Sequence, residues 1–304
     1  MKHVFGPVPS RRLGFSLGVD LLVPKTCTMD CVYCELGPTT DRTVCRRAYV
    51  DVGEVVEELR ERLAEHPRVD YVTLSGSGEP TLHSEIGSVI DEIRSLTAAP
   101  VAVLTNGSLM TDPDVRSALF RADVVAPSLD AVSRAAFEAV NRPDPTLDPA
   151  EIVDALAAFT RAHMGEVWLE IVFVKGLNDT SSEIALLEQA VERIGPDRVQ
   201  VNTVTRPPAE RDAEPVGAER LLTIARRLRP DAELVAHTDR DSQVPLPDAA
   251  ETVVAMATRR PVTAHDVARA VGMSQAEAAK MLDAMVDRGA IRLVRHAGKL
   301  YYRA

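Results

Sequence analysis

The sequence predicts an α/β protein in which parallel strands alternate with helices, followed by a small C-terminal unit of different character. Three observations predict it. Short β-type runs and amphipathic helical stretches alternate between positions 15 and 235, the order that calls for a parallel sheet. Polar residues gather after successive strands, where such sheets and barrels carry their sites. Over 237–248 the text then changes to "HTDRDSQVPLPD", a polar stretch with two prolines that reads as a linker.

In order, "SLGVDLL" (16–22) is the first strand, and "DVGEVVEELRERLAEH" (51–66) is a helix with apolar residues at 52, 55, 56, 59 and 63. Asp51 precedes its first apolar position as an N-cap. "VDYVTL" (69–74) is a second strand, with a helix near 84–96 after it. "VAVL" (101–104), "DVVAP" (123–127), "VWLEIVFV" (167–174) and "VQVN" (199–202) are four more. Between them lie helical stretches such as "PAEIVDALAAFTRAHM" (149–164) and "SSEIALLEQAVERI" (181–194), and "AELVA" (232–236) adds a seventh strand. Six or more strands fit an open or closed barrel, and equally a flat doubly wound sheet. Beyond the linker come "AAETVVAMA" (249–257), "TAHDVARAVG" (263–272) and "SQAEAAKMLDAMVDRG" (274–289), then two β-runs around Ala297-Gly298. Three helices and a hairpin are the outline of a winged helix-turn-helix unit, with Thr263 and Ser274 as N-caps and Leu282, Met285 and Val286 as core. The expected division is a barrel domain over 1–236, a linker over 237–249 and the small domain over 250–304.

At 304 residues the chain holds one barrel-sized domain and something small, and no apolar run approaches a membrane span. The start, "MKHVFGPVPSRRLG", has no apolar core with a cleavage site. Four cysteines, three of them clustered, do not make a disulfide framework, so a reducing, cytoplasmic home is expected. The net charge is −10, with nine basic and five acidic residues from position 250 onward against 26 and 40 upstream. An acidic body with a mildly basic tail fits two units with different partners.

Cys27, Cys31 and Cys34 form a C-x₃-C-x₂-C run just after the first strand. Thiolates this close on a loop can each reach a different iron of one cubane cluster, and three ligands for four irons leave one iron open. A zinc site would instead show paired C-x₂₋₄-C knuckles, and Cys45 alone reads as an ordinary small residue. After the second strand "SGSGEPTLH" (75–83) follows, where Gly76 and Gly78 free the backbone for close approach and Glu79-Pro80 makes a sharp exit. "TNGSL" (105–109), "SLDA" (128–131), "KGLND" (175–179) and "NTVTRPPAE" (202–210) close later strands. Taken singly, a glycine-rich βα turn or Asn106-Gly107 is also plain turn chemistry.

With Cys27, Cys31, Cys34 and the aromatic Tyr33 before the last cysteine, the sequence resembles the radical SAM superfamily. The resemblance implies a partial (β/α)₆ TIM-type barrel, a [4Fe–4S] cluster on the three cysteines, and S-adenosylmethionine chelated to the open iron with its adenine near Tyr33. It also implies an enzyme of oxidoreductase or lyase type, an external one-electron donor such as flavodoxin or ferredoxin, and a 5′-deoxyadenosyl radical. "SGSGEP" looks like the superfamily's Gly-Gly-Glu-Pro motif with Ser77 in place of the second glycine. That likeness makes Gly76, Ser77, Gly78 and Glu79 the seat of the methionyl amino group. Asn106 and Ser128 become contacts to the ribose or carboxylate, and Glu170 reaches a ribose hydroxyl if its strand face points inward. "GPVPSRRLGFSLGVDLL", the cysteine run with "ELG", and "VQVNTVTRPPAE" look like the iron–sulfur oxidoreductases related to wyosine-tRNA synthases, which makes RNA a substrate class, with a protein substrate as the other candidate. The wyosine synthases bind a second cluster upstream of this motif, and the present sequence has no cysteine before Cys27. Arg11, Arg12 and Arg206 are candidates for an anionic substrate or the cofactor's carboxylate.

The last helix of the C-terminal unit carries Lys280 and Arg288 but also Glu277, Asp283 and Asp287, while the candidate wing carries Arg292, Arg295, His296 and Lys299. So mixed a face makes a poor phosphate grip, and DNA binding by an iron–sulfur regulator is the less favoured alternative to an enzyme.

Overall fold

The computed structural model describes residues 1–10, 12–65, 67–235 and 249–304. The chain opens with β1 (Val4–Ser10) and β2 (Gly14–Val19), then a two-residue parallel ladder of β3 (Thr26–Cys27) with β4 (Asp41–Arg42). Helix α1 (Val52–Ala64), strand β5 (Tyr71–Leu74), helix α2 (Ile86–Leu96), strand β6 (Val101–Thr105), helix α3 (Pro113–Leu119) and strand β7 (Val124–Pro127) follow. Next come α4 (Arg134–Val140), α5 (Pro149–Ala162), β8 (Glu166–Phe173), α6 (Ser181–Ile194), β9 (Arg198–Thr203), α7 (Ala218–Leu228) and β10 (Glu233–Leu234). The C-terminal unit is α8 (Ala249–Arg259), α9 (Ala264–Val271), α10 (Gln275–Asp287), β11 (Arg292–His296) and β12 (Lys299–Arg303).

The sheet runs β1-β2-β5-β6-β7-β8-β9-β10, and every neighbouring pair is parallel except β1 with β2. From β2 onward the spatial order is the chain order. A doubly wound sheet must reverse order at a switch point, whereas stepwise right-handed crossovers keep the helices on one face and curl the sheet into part of a barrel. The six strands β2, β5, β6, β7, β8 and β9 are the (β/α)₆ core, β10 is the seventh run read from the sequence, and the doubly wound alternative is gone.

Strand β1 is the element the sequence pattern hid. Pro7 and Pro9 lie inside it, and proline cannot donate to a ladder, so the segment does not read as a strand. An edge position, with one side unpaired, accommodates it. The helices begin where their caps predict: the Asp51 side chain accepts from the Glu54 N–H at 3.0 Å, and Thr263 and Ser274 each form a reciprocal capping box with Asp266 and Glu277.

The main core packs the sheet against α1, α2, α5 and α6 through Leu17, Leu59, Leu74, Ile90, Phe159 and Phe173, all at most 1% exposed. Each such side chain contributes about 1.5–3 kcal/mol on burial. A separate cluster joins α8, α9, α10 and β12 through Val253, Met256, Val267, Leu282 and Tyr302. The linker reading over 237–249 lies outside the described residues except for Ala249, which is the first residue of α8.

Candidate active site

Cys27 ends β3, and Cys31 and Cys34 lie on the loop after it. Two consecutive tight turns carry that loop, closed by the Cys34 N–H on the Cys31 carbonyl (3.1 Å) and the Gly37 N–H on the Cys34 carbonyl (3.2 Å). It is laced to the end of α4 by the Val32 N–H on the Val140 carbonyl at 2.9 Å. All three cysteines are partly buried, and Cys45 is exposed. Each of the three thiols faces a different side-chain N–H: Asn106 Nδ2 to Cys27 Sγ at 3.5 Å, Asn141 Nδ2 to Cys31 Sγ at 3.4 Å, and Lys25 Nζ to Cys34 Sγ at 3.0 Å. N–H donors aimed at sulfur are the outer shell that tunes iron–sulfur thiolates.

Burial pushes the Cys27 thiol up to about 12, with the Glu79 carboxylate adding to it. Burial likewise holds Cys31 well above the ordinary thiol range, with Asp130 adding to it. Such thiols ionise when a bound cation compensates them. Among the described residues no three His, Cys, Asp or Glu side chains converge to hold one metal ion. Three cysteines on one loop, each with its own side-chain N–H donor, match the ligand number of a cubane with one iron left open. The donor set therefore suits a [4Fe–4S] cluster.

The loop after β5 is pressed against the cysteine loop. A Cβ on Gly78 would fall 1.6 Å from the Thr26 carbonyl oxygen, and one on Gly76, whose φ is +152°, would meet the Asp20 carboxyl at 2.3 Å. Only glycine permits that approach. Ser77 turns away from the cysteines: its N–H (3.1 Å) and hydroxyl (2.5 Å) both donate to Asp20 Oδ2. Glu79 is buried, and its carboxylate accepts from the Thr81 N–H and hydroxyl, the Thr105 hydroxyl and the Asn106 N–H. Burial raises its pKa against the pull of those donors. Glu79 thus ties the glycine loop to the end of β6.

At the ends of β7, β8 and β9 two networks meet. Asp130, 3% exposed, accepts from the Tyr33 hydroxyl at 2.5 Å, Asn141 Nδ2 at 2.7 Å and the Val172 N–H at 2.8 Å. The ring of Tyr33 is thereby fixed beside Cys34. Glu170 points to the concave side, where Arg12 Nη1 pairs with it at 3.0 Å and Asn202 Nδ2 donates to it at 3.2 Å. Arg12, Tyr33, Cys34, Glu170, Val172 and Asn202 line a cavity of about 250 Å³. A second cavity, of about 300 Å³, borders Arg12, Cys34, Ser75 and Gly76.

The site residues read from the sequence are thus brought together unevenly. Tyr33, Cys34 and Glu170 line the first cavity, Cys34 and Gly76 border the second, and Cys27 and Cys31 line neither. Asn106 and Ser128 line a separate space of about 10 Å³ with Asp130 and Asn141, room for about one water. The Asn106 amide donates to the Thr28 hydroxyl at 2.8 Å as well as to Cys27. Arg11 lies outside the described residues. Arg206 is turned to another purpose: 2% exposed, it pairs with Asp266 of α9 at 3.0 Å and with Glu35 at 3.5 Å. Sequence reasoning passed over Lys25, Asp20, Asp130 and Asn141. Asp130 stood inside a quoted strand-end motif, while Asn141 carries no local signal.

The model of the family described as "Radical SAM superfamily" matches residues 21–187, more than half of the chain. A UPF0026 protein of Methanocaldococcus jannaschii is 27% identical over 99% of this chain and 96% of its own. A UPF0026 protein of Synechocystis is 33% identical over 69% of this chain and 79% of its own. A protein of Brachyspira hyodysenteriae named GTPase Obg is 34% identical over 96% of this chain, which spans 43% of that relative's length. Among solved structures, TYW1 with a lysine-pyruvate adduct bound superposes with a TM-score of 0.53 at 14% identity over 75% of this chain and 76% of that one. A likeness at that identity is one of fold.

Proposed function

The chain belongs to the radical SAM superfamily, and on that premise we propose that it is an enzyme starting radical chemistry on a substrate bound over the concave face of its partial barrel. The observation that carries this reading is the set of three cysteines on one loop, each facing its own side-chain N–H. In this superfamily the [4Fe–4S] cluster and S-adenosylmethionine supply one electron and a 5′-deoxyadenosyl radical.

The chain's own residues do the rest. Cys27, Cys31 and Cys34 hold the metal, and Lys25, Asn106 and Asn141 offset the thiolate charge as the protons leave. Asp130 locks Tyr33 in place to flank the adenine. Glu170 and Asn202 face the same cavity and take the ribose hydroxyls. The backbone of Gly76, Ser77 and Gly78 seats the methionyl end, because the side chains of Ser77 and Glu79 are already committed to Asp20, Thr81 and Thr105. Asn106 and Ser128 support the loops around the cofactor from behind. Leu13 borders one cavity and Val172 and Val204 the other, apolar walls that would help exclude water from bound ligands.

The one-electron donor is of the flavodoxin or ferredoxin kind, and the clustering of three of the four cysteines supports a reducing, cytoplasmic setting. Among the described residues no helix is long and apolar enough to cross a membrane. RNA modification rests on the resemblance to wyosine-tRNA synthases. The run of three helices and a hairpin supports a winged-helix reading of the C-terminal unit, and the mixed charge of α10 weighs against a DNA-binding regulator.

The test is anaerobic reconstitution with iron and sulfide, then dithionite and S-adenosylmethionine. The expected product is 5′-deoxyadenosine, absent without reductant and absent in Cys34→Ala. Zinc in place of iron in the native protein, or full iron loading with intact cofactor cleavage in Cys34→Ala, overturns the assignment.

A further inference from the structure

The C-terminal unit is tied to both loops of the site. Arg206 joins the loop after β9 to Asp266 of α9, and the Arg303 guanidinium donates to the carbonyl of Leu36, two residues after Cys34. A further tie runs from Arg259, the last residue of α8, to the glycine loop by way of Asp20. The Arg259 Nη atoms donate to the Ala255 and Lys2 carbonyls at 3.2 and 3.0 Å, and its guanidinium lies 4.1 Å over the Phe5 ring. Its Nε stands 3.8 Å from Asp20 Oδ2.

Asp20 directly follows β2 and is 4% exposed. Its Oδ2 accepts both the Ser77 N–H at 3.1 Å and the Ser77 hydroxyl at 2.5 Å, and its Oδ1 accepts the Leu22 N–H at 3.3 Å. A Cβ on Gly76 would meet the carboxyl carbon of Asp20 at 2.3 Å. In a trans peptide the N–H and the C=O point opposite ways, so the bond from the Ser77 N–H turns the Gly76 carbonyl away from Asp20. Among the described residues that carbonyl accepts no hydrogen bond. Gly76 borders the cavity of about 300 Å³ beside Cys34, and Asp20 does not. Asp20 thus grips the loop from behind.

We propose that Asp20 is a positioning residue for the cofactor, fixing the Gly76–Ser77 peptide against which the methionyl end is seated, and that Arg259 steadies Asp20 from the C-terminal unit. The inference rests on the radical SAM reading and deepens it, because cofactor affinity is then set in part by a side chain of the C-terminal unit acting through Asp20. It also accounts for Ser77. Where the motif of the superfamily has glycine, this chain carries a hydroxyl, and that hydroxyl donates to Asp20. Burial pushes the Asp20 carboxyl up, while the Ser77 donors and the Arg259 guanidinium pull it back. Removing any of them weakens the grip on the loop.

The test is equilibrium dialysis of the reconstituted holoenzyme against S-adenosylmethionine and, separately, 5′-methylthioadenosine, which keeps the nucleoside and sulfur but has no amino or carboxylate group. Asp20→Asn is expected to weaken S-adenosylmethionine by about tenfold or more, the effect of hydrogen bonds to a charged group. Methylthioadenosine affinity and iron per chain should not change. Ser77→Gly, which removes only the hydroxyl, should weaken the same ligand by a smaller factor. Arg259→Met should weaken it about threefold, and Arg259→Lys, which keeps the charge, by less. Adding Arg259→Met to Asp20→Asn should change nothing further, since residues that act through one another are not additive. Unchanged S-adenosylmethionine affinity in Asp20→Asn, or equal weakening of both ligands, overturns the positioning role. An Arg259→Met penalty that persists in the Asp20→Asn background overturns the link through Arg259. Should Asp20→Asn fail to load iron, the same two-ligand comparison in Ser77→Gly decides. An unsubstituted holoenzyme that binds S-adenosylmethionine no more tightly than methylthioadenosine, or forms no 5′-deoxyadenosine, would instead strike the underlying reading.

Discussion

Replacing Asp266 tests whether the C-terminal unit is part of the working site. Its carboxylate receives Arg206 through two N–H bonds, at 3.0 and 3.2 Å, and also caps α9 through the Thr263 N–H and hydroxyl. The two side chains are 2% and 9% exposed. Removing one partner of a buried pair costs about 3–5 kcal/mol, the lower end applying here because Arg206 keeps Glu35 at 3.5 Å, and the lost cap adds about 1 kcal/mol. Asp266→Ala is therefore expected to lower stability by about 4 kcal/mol, read by urea unfolding of the metal-free chain. Arg206 holds the Asp266 carboxyl well below the usual carboxylate range despite its burial. A depressed carboxyl contributes stability that is present above its unfolded pKa of about 3.9 and lost only as pH falls through the folded value, so the deficit of Asp266→Ala persists across neutral pH. Because Arg206 also touches Glu35 and Arg303 reaches Leu36, the same variant should release iron from the reconstituted cluster to a chelator several-fold faster. Glu277→Gln, which weakens only the α10 cap, is the control. A loss below about 1 kcal/mol, or iron release no faster than in the control, refutes the reasoning.

Gly78→Ala sets a carbon 1.6 Å from the Thr26 carbonyl oxygen and should reduce bound iron to a small fraction with helix content intact. Gly217→Ala, with nothing within 4 Å, should load normally. Lys25→Met removes a cation and an N–H from Cys34 Sγ, so the cluster's reduction potential should move to more negative values in a redox titration; an unchanged potential shows that Lys25 does not touch the metal-bound sulfur. Burial pushes the Asp130 carboxyl up to about 6. A raised carboxyl favours the folded state while protonated, so this contribution is full below its unfolded pKa near 3.9 and lost as pH climbs to about 6, roughly 3 kcal/mol for two units. Urea stability of the metal-free chain between pH 4 and pH 7 should fall more steeply than that of Asp130→Asn, and equal slopes would remove Asp130 as the cause. Cys45→Ser, at an exposed position, should leave iron per chain unchanged.

The sequence by itself determined what is written in short-range pattern. Period-two and period-3.6 burial placed six parallel strands and most helices. Caps at Asp51, Thr263 and Ser274 placed helix starts, and the spacing of Cys27, Cys31 and Cys34 pointed to a cluster. Strand β1 escaped because Pro7 and Pro9 obey edge geometry rather than local propensity. Only the tertiary structure decided that Glu170 faces inward, that Ser77 and Glu79 are consumed in holding loops, and that Arg206 ties two units together rather than awaiting a ligand. The physical reason is separation along the chain. Capping and periodicity act over a few residues, whereas Tyr33 and Asp130 meet across 97 positions and Arg206 and Asp266 across 60. A buried charge or hydroxyl is satisfied by whichever partner the fold delivers to it, and no pattern local to either residue encodes that delivery.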